Sequence, residues 1–145
     1  MTILYMDEYH HHLTIHFADG TIQESEKKGI AYLDELCRAY GSTYEGRRQA
    51  ACSILSIRQK APIYVNDSLI MFPNAMNVER KFWINYLQIK DMKEVSYQTM
   101  FTFLNDSEVL VDMGYRSAIR QKQRCYKYLY TIQWNRSHSL DNLIL

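Results

Sequence analysis

The stretch Gly41-Ser42-Thr43-Tyr44-Glu45-Gly46-Arg47-Arg48 joins two predicted helices and opens a basic segment that runs to Lys60. Upstream, Ile30, Leu33, Leu36, Cys37 and Tyr40 recur at the three-and-four spacing of one helical face, which predicts a helix over 27–40. Gly41 stands where a left-handed C-terminal cap belongs. Ser42 precedes Glu45 by three residues, the spacing of a capping box, so a second helix is predicted to open there. Gly46 weakens its start, and Ala50, Ala51, Ile54 and Leu55 supply its apolar face. Pro62 sets its latest possible end.

Outside these helices the texture is that of strands. Thr2 to Met6 and Leu13 to Phe17 are predicted as short strands, with Ala18-Asp19-Gly20-Thr21 as a turn before Ile22. Pro62 to Val65 and Leu69 to Phe72 flank Asn66-Asp67-Ser68, a hairpin loop. Phe82 to Ile89, Gln98 to Leu104 and Glu108 to Val111 continue an antiparallel series, with a turn at Asn105-Asp106-Ser107. The strand from Phe82 does not alternate cleanly in polarity, which predicts cover on both of its faces. The expected fold class is α+β: one domain spanning residues 1–145, an antiparallel β-sheet flanked by helices, ending in a basic amphipathic helix.

That last helix is predicted from Tyr115 to Trp134. At 100° per residue, Arg116, Arg120, Arg124 and Lys127 fall within about 80° of one another. Ala118, Cys125, Leu129 and Ile132 gather opposite them, with Lys122 inside the apolar stripe, where its stem can lie flat and its amine reach water. No acidic residue between Tyr115 and Ser139 offsets this stripe, and arginine suits bidentate phosphate contacts and narrow minor grooves.

The formal charge of +1 conceals this pattern. Residues 1–46 carry a net −5, residues 47–66 a net +4, residues 67–112 a net −3 and residues 113–145 a net +5. If folding joins the two basic zones, a polyanion site results; if not, they are two solvated helix faces. The apolar fraction of 47% and the twelve tyrosines predict a folded chain. No run has the length of a membrane span and no signal-peptide pattern opens the chain, so a cytoplasmic protein is expected. Cys37, Cys52 and Cys125 lack a CxxC spacing and read as reduced, small apolar fillers.

Several of these residues also carry a resemblance. Cys37-Arg38, the Gly-Ser-Thr-Tyr-x-Gly-Arg element, Lys60-x-Pro62-Ile63, Ile70-x-Phe72-Pro73 and Trp83-Ile84 follow in the order found in the competence transcription factor family, ComK. The chain departs from the family pattern at Thr43, Asn74 and Phe82, and none of these changes removes a charge. The resemblance implies a sequence-specific activator of DNA-uptake genes, located with the nucleoid. It would bind paired A/T-rich boxes in double-stranded DNA from the minor groove, as a homodimer or dimer of dimers. It also implies a regulatory proteolysis adaptor as partner, acting on the tail that longer members carry. No cofactor, catalytic residue or metal is implied.

The residues expected to meet DNA are Tyr44, Arg47, Arg48, Arg58, Lys60, Arg116, Arg120, Arg124 and Lys127. Arg47 or Arg48 is the expected groove-inserting side chain, because Gly46 permits close backbone approach. Two arginines at a helix N-terminus oppose its dipole, so they need a compensating partner or ligand. His10, His11, His12 and His16 do not form a metal motif, since successive strand residues face opposite sides and no finger-like spacing is present. Two other classes fit a basic face: a module that docks an acidic protein, and a small nuclease using carboxylates such as Asp67, Asp91, Asp106 and Asp112.

Overall fold

The computed structural model describes the backbone of residues 1–144 and the side chains of residues 1–138. Nine strands and three α-helices run in the order β1 (Ile3–Tyr9), β2 (His12–Phe17), β3 (Ile22–Ser25), α1 (Gly29–Arg38), α2 (Tyr44–Leu55), β4 (Ile63–Asn66), β5 (Leu69–Pro73), β6 (Arg80–Asn85), β7 (Ile89–Val95), β8 (Gln98–Phe103), β9 (Glu108–Val111) and α3 (Tyr115–Ile144). The antiparallel sheet, its flanking helices and the C-terminal helix match the expected α+β architecture. No described helix is long and apolar enough to cross a membrane.

The strands form two sheets rather than one series. Six make the order β3-β2-β1-β6-β5-β4 and three make β7-β8-β9. The break lies at Asn85, whose buried side chain ends β6. Its amide donates to the Ile3 carbonyl at 2.8 Å and its Oδ1 accepts from Ile70 and Leu87 backbone N–H groups. A 3-10 turn over Tyr86–Gln88 then redirects the chain, so the strand expected to reach Ile89 stops short. Strands β3 and β7 had no clear sequence signal. Their residues are mostly exposed, and charges such as Lys90, Asp91, Lys93 and Glu94 mask any apolar alternation.

Both faces of the six-stranded sheet are covered, as the mixed pattern of β6 indicates. Trp83 points to a cluster with Met6, Leu13, Ile15, Leu33, Cys37 and Tyr44, beneath α1 and the start of α2. Phe82 and Ile84 point the other way, toward Phe72, Phe101, Phe103, Cys125 and Tyr128, where α3, the end of α2 and the second sheet close over them.

The junction of α1 and α2 follows the sequence closely. Gly41 has φ +78°, its N–H donates to the Arg38 carbonyl, and the Ser42 N–H reaches back to Cys37. Those two bonds are a Schellman cap. The α2 cap falls one residue later than expected: Thr43, not Ser42, accepts from the Gly46 N–H at 2.9 Å. Ser42 is occupied in closing α1, so Thr43 takes the capping position. Glu45 is thereby released to pair with Arg48. Ile30 and Tyr40, expected on the buried face of α1, are exposed because the buried face narrows to Leu33, Cys37 and Gly29.

Gly29 sits where α1 meets the indole. A Cβ there would lie 2.8 Å from Trp83 Nε1 and 3.2 Å from Cδ1. Trp83 is fully buried and cannot move aside. Gly29→Ala gains up to about 1 kcal/mol of helix propensity but overpacks a rigid ring at a cost of about 1–3 kcal/mol. Net destabilisation is therefore expected, read as a lower urea midpoint with an unchanged slope. An equal or higher midpoint would show that the α1 start can retreat from the indole.

Candidate nucleic-acid interface

The two basic zones are brought together by one buried side chain. Gln121, on the inner face of α3, is 1% exposed, and its amide nitrogen donates to the Lys60 carbonyl at 2.9 Å and the Pro73 carbonyl at 3.2 Å. It was not among the residues expected to be buried in α3, where Ala118, Gln121, Cys125 and Tyr128 form the central seam and Leu129 and Ile132 only flank it. A buried glutamine requires satisfied hydrogen bonds, and the loop after α2 and the end of β5 supply one acceptor each.

Arg124 reinforces this anchorage. Its Nη1 lies 3.4 Å from the Gln59 carbonyl and 3.5 Å from Gln121 Oε1. Partial burial, with the neighbouring Arg120 adding to it, lowers the pKa of the Arg124 guanidinium from its ordinary value. An anion at this surface would relieve that electrostatic tension. Lys60 itself has φ +56°, so the loop carries a left-handed residue at the point where Gln121 holds it.

Arg58, Lys60, Arg116, Arg120, Arg124 and Lys127 thus belong to a loop and helix joined side by side. Among the described residues, none of these six cations has a carboxylate partner within salt-bridge distance, whereas Lys27, Arg38, Arg48, Arg80 and Lys90 each do. Cations meant only for solubility are normally interspersed with acids. The sequence placed Arg116, Arg120 and Lys127 on one exposed face, and all three are exposed.

Three expected contacts are placed differently. Tyr44 is 8% exposed and lies edge-on to Trp83, with ring centroids 6.2 Å apart, so its ring serves the core. Its backbone N–H is held by Asp34 Oδ1 at 2.9 Å. Arg47 turns inward: its guanidinium carbon lies 5.1 Å from the centroid of the Tyr64 ring, and its Nε is closed to water. Arg48 forks onto Glu45, with Nε 2.9 Å from Oε2, and its Nη1 reaches the Cys52 Sγ at 3.7 Å. One helical step of about 100° separates the inward arginine from the lateral one. Sequence alone did not say which would turn in.

The remaining chemistry is dispersed. Asp67 holds Arg136 and Tyr64, and Asp106 holds Lys90. Among the described residues no three His, Cys, Asp or Glu side chains gather as metal ligands. His10 and His11 form the β1–β2 turn with positive φ, and His16 stacks on Tyr5 at 4.2 Å. All three cysteines are free thiols, and burial raises the pKa of both Cys37 and Cys125.

Residues 1–137 match the family model described as ComK protein. The chain belongs to the ComK family. A curated relative, the "Competence transcription factor" of Bacillus subtilis (strain 168), is 27% identical over 120 residues. That match covers 80% of this chain and 59% of the relative, so the chain spans under two thirds of its length. No solved structure matches. The family motifs fall at structural joints. Gly41 caps α1, Lys60 is held on α3, the Phe72-Pro73 end of β5 offers its carbonyl to Gln121, and Trp83 backs onto α1. Asn74, a departure from the ComK pattern, is buried at 5% and bridges β6 to the Asp112 carbonyl before α3.

Proposed function

We propose that this chain is a transcriptional activator of competence genes that binds double-stranded DNA at paired A/T-rich boxes through the minor groove. The observation that carries this reading is the joining of the loop after α2 to α3, which collects Arg58, Lys60, Arg116, Arg120, Arg124 and Lys127 without acidic partners among the described residues. Narrow A-tract minor grooves have enhanced negative potential and favour arginine over the donors needed for major-groove reading. Arg48 joins the interface when DNA phosphate competes with Glu45 for its fork. Tyr44 and Arg47 take no part. Paired boxes call for a homodimer or a dimer of dimers, each subunit presenting one such surface. The reading is non-enzymatic and places the protein at the nucleoid, with a proteolysis adaptor as a further partner.

Fluorescence anisotropy with a duplex carrying spaced A- and T-tracts, and with a G·C-rich duplex, tests it across a salt series. The A/T duplex should bind more tightly, with a log–log salt slope of about −4 to −5 for five or so neutralised phosphates. Equal, weak affinity for both would remove the minor-groove claim. No affinity for either at low salt would make the surface a dock for an acidic protein. Magnesium-dependent cleavage of supercoiled DNA would make the chain a nuclease.

A further inference from the structure

Arg47 is the one arginine of the opening basic turn that neither Glu45 nor the joined basic surface accounts for. It lines a cavity of about 750 Å³ between α1, the β4–β5 hairpin and α3. That volume is of the size that holds small organic ligands. The Arg47 Nε is shut from water, and among the described residues it has no acceptor and no carboxylate pairs with the guanidinium. The acid among the described lining residues, Asp67, is taken up by Arg136 Nη1 at 3.0 Å and by the Tyr64 hydroxyl. The groups that feel the Arg47 charge are the buried Cys37 thiol and Tyr128 phenol, which burial keeps neutral. The residue keeps partial exposure, but its buried Nε goes without an acceptor, and it sits in the first turn of α2, where the helix dipole opposes a cation.

The cavity has what an anionic ligand needs. The Tyr64 ring carries Arg47 at 5.1 Å and Arg136 at 5.6 Å from its centroid, a cationic and aromatic floor. Leu36, Tyr40, Val65 and Leu69 give apolar walls. The Asn66 amide nitrogen and Ser68 hydroxyl make no hydrogen bond among the described residues and line the same space. We infer that this cavity binds a small organic anion, with a phosphate or carboxylate head on Arg47 and an apolar or aromatic body along the α1 and hairpin walls. The site is separate from the DNA reading and stands without it. The ligand would bridge α1, α2 and the hairpin.

Isothermal titration calorimetry on the DNA-free protein, at constant ionic strength, provides the test with phenyl phosphate, benzoate and the uncharged aromatic phenol as probes. Phenyl phosphate or benzoate should bind saturably and phenol should not. Arg47→Met should weaken binding by about tenfold or more, as expected for loss of a charge-assisted head-group contact. Ser68→Trp, at an exposed turn, should block the cavity with every charge retained, and it serves if Arg47→Met folds poorly by circular dichroism. Arg120→Glu should leave probe binding unchanged. Absence of saturable binding by either anion overturns the inference. So does equal binding by wild type, Arg47→Met and Ser68→Trp, and so does loss in Arg120→Glu alone, which would put the anion on the basic surface instead.

Discussion

Reversing Arg116 and Arg120 together to glutamate is expected to weaken binding to the A/T-box duplex by about a hundredfold near 0.1 M salt and to flatten the salt slope by about two. Both side chains are exposed on α3 and neither has an acidic partner among the described residues. Surface changes of this kind alter stability by about 0.5 kcal/mol or less, so the thermal midpoint should barely move. Arg124 is the poorer target. It is half-buried and its Nη1 reaches the Gln59 carbonyl, so a glutamate there would disturb the loop as well as the charge. Lys93→Glu on β7, an equally exposed cation outside this surface, is the control and should alter affinity far less. A loss from Lys93→Glu as large, per reversed charge, as that from the double α3 reversal would mean that binding follows total charge and that α3 is not the interface.

Gln121→Leu is expected to cost about 2 kcal/mol of stability while also weakening DNA binding, although it removes no charge. Leucine nearly matches glutamine in volume and gains apolar burial, but it leaves the Lys60 and Pro73 carbonyls without their donor. Orphaned buried carbonyls cost about 1–3 kcal/mol each, and that outweighs the apolar gain. Lys60 and Arg58 would then lose their fixed position beside α3, and affinity should fall by about five- to tenfold through lost preorganisation. Urea unfolding and anisotropy on the same sample, well below the midpoint, separate the two effects. Lower stability with unchanged affinity would show that the loop after α2 acts independently of α3.

Much of the architecture could be read locally. The three-and-four spacing of Leu33, Leu36 and Cys37, the glycine that closes α1, and the Asn66-Asp67-Ser68 and Asn105-Asp106-Ser107 turns all act within a few residues, and the structure keeps each of them. The misreadings came where distant groups compete. Asn85 ends β6 because it is needed by the Ile3, Ser68 and Ile70 backbones, contacts separated by up to 82 positions. Strand β7 was missed because its exposed charged residues obey neither strand nor helix periodicity; pairing with β8 makes it a strand.

The candidate site divides the same way. The back-to-back basic and apolar stripes of α3 follow from helical geometry and side-chain identity alone, so the cationic face was legible before folding. Whether that face would meet the basic zone 61 residues earlier depended on Gln121, whose polarity hid its burial. Likewise, the pair Arg47-Arg48 marked a charged helix start, yet which arginine turned outward was decided by the neighbours. Glu45, one turn away, claims Arg48, while Tyr64 and the cavity beneath α1 receive Arg47. Local order in this protein is set by interactions that residues a few positions apart can satisfy between themselves. The surface and the cavity required the chain to return on itself, because their hydrogen bonds and charges find partners only across the fold.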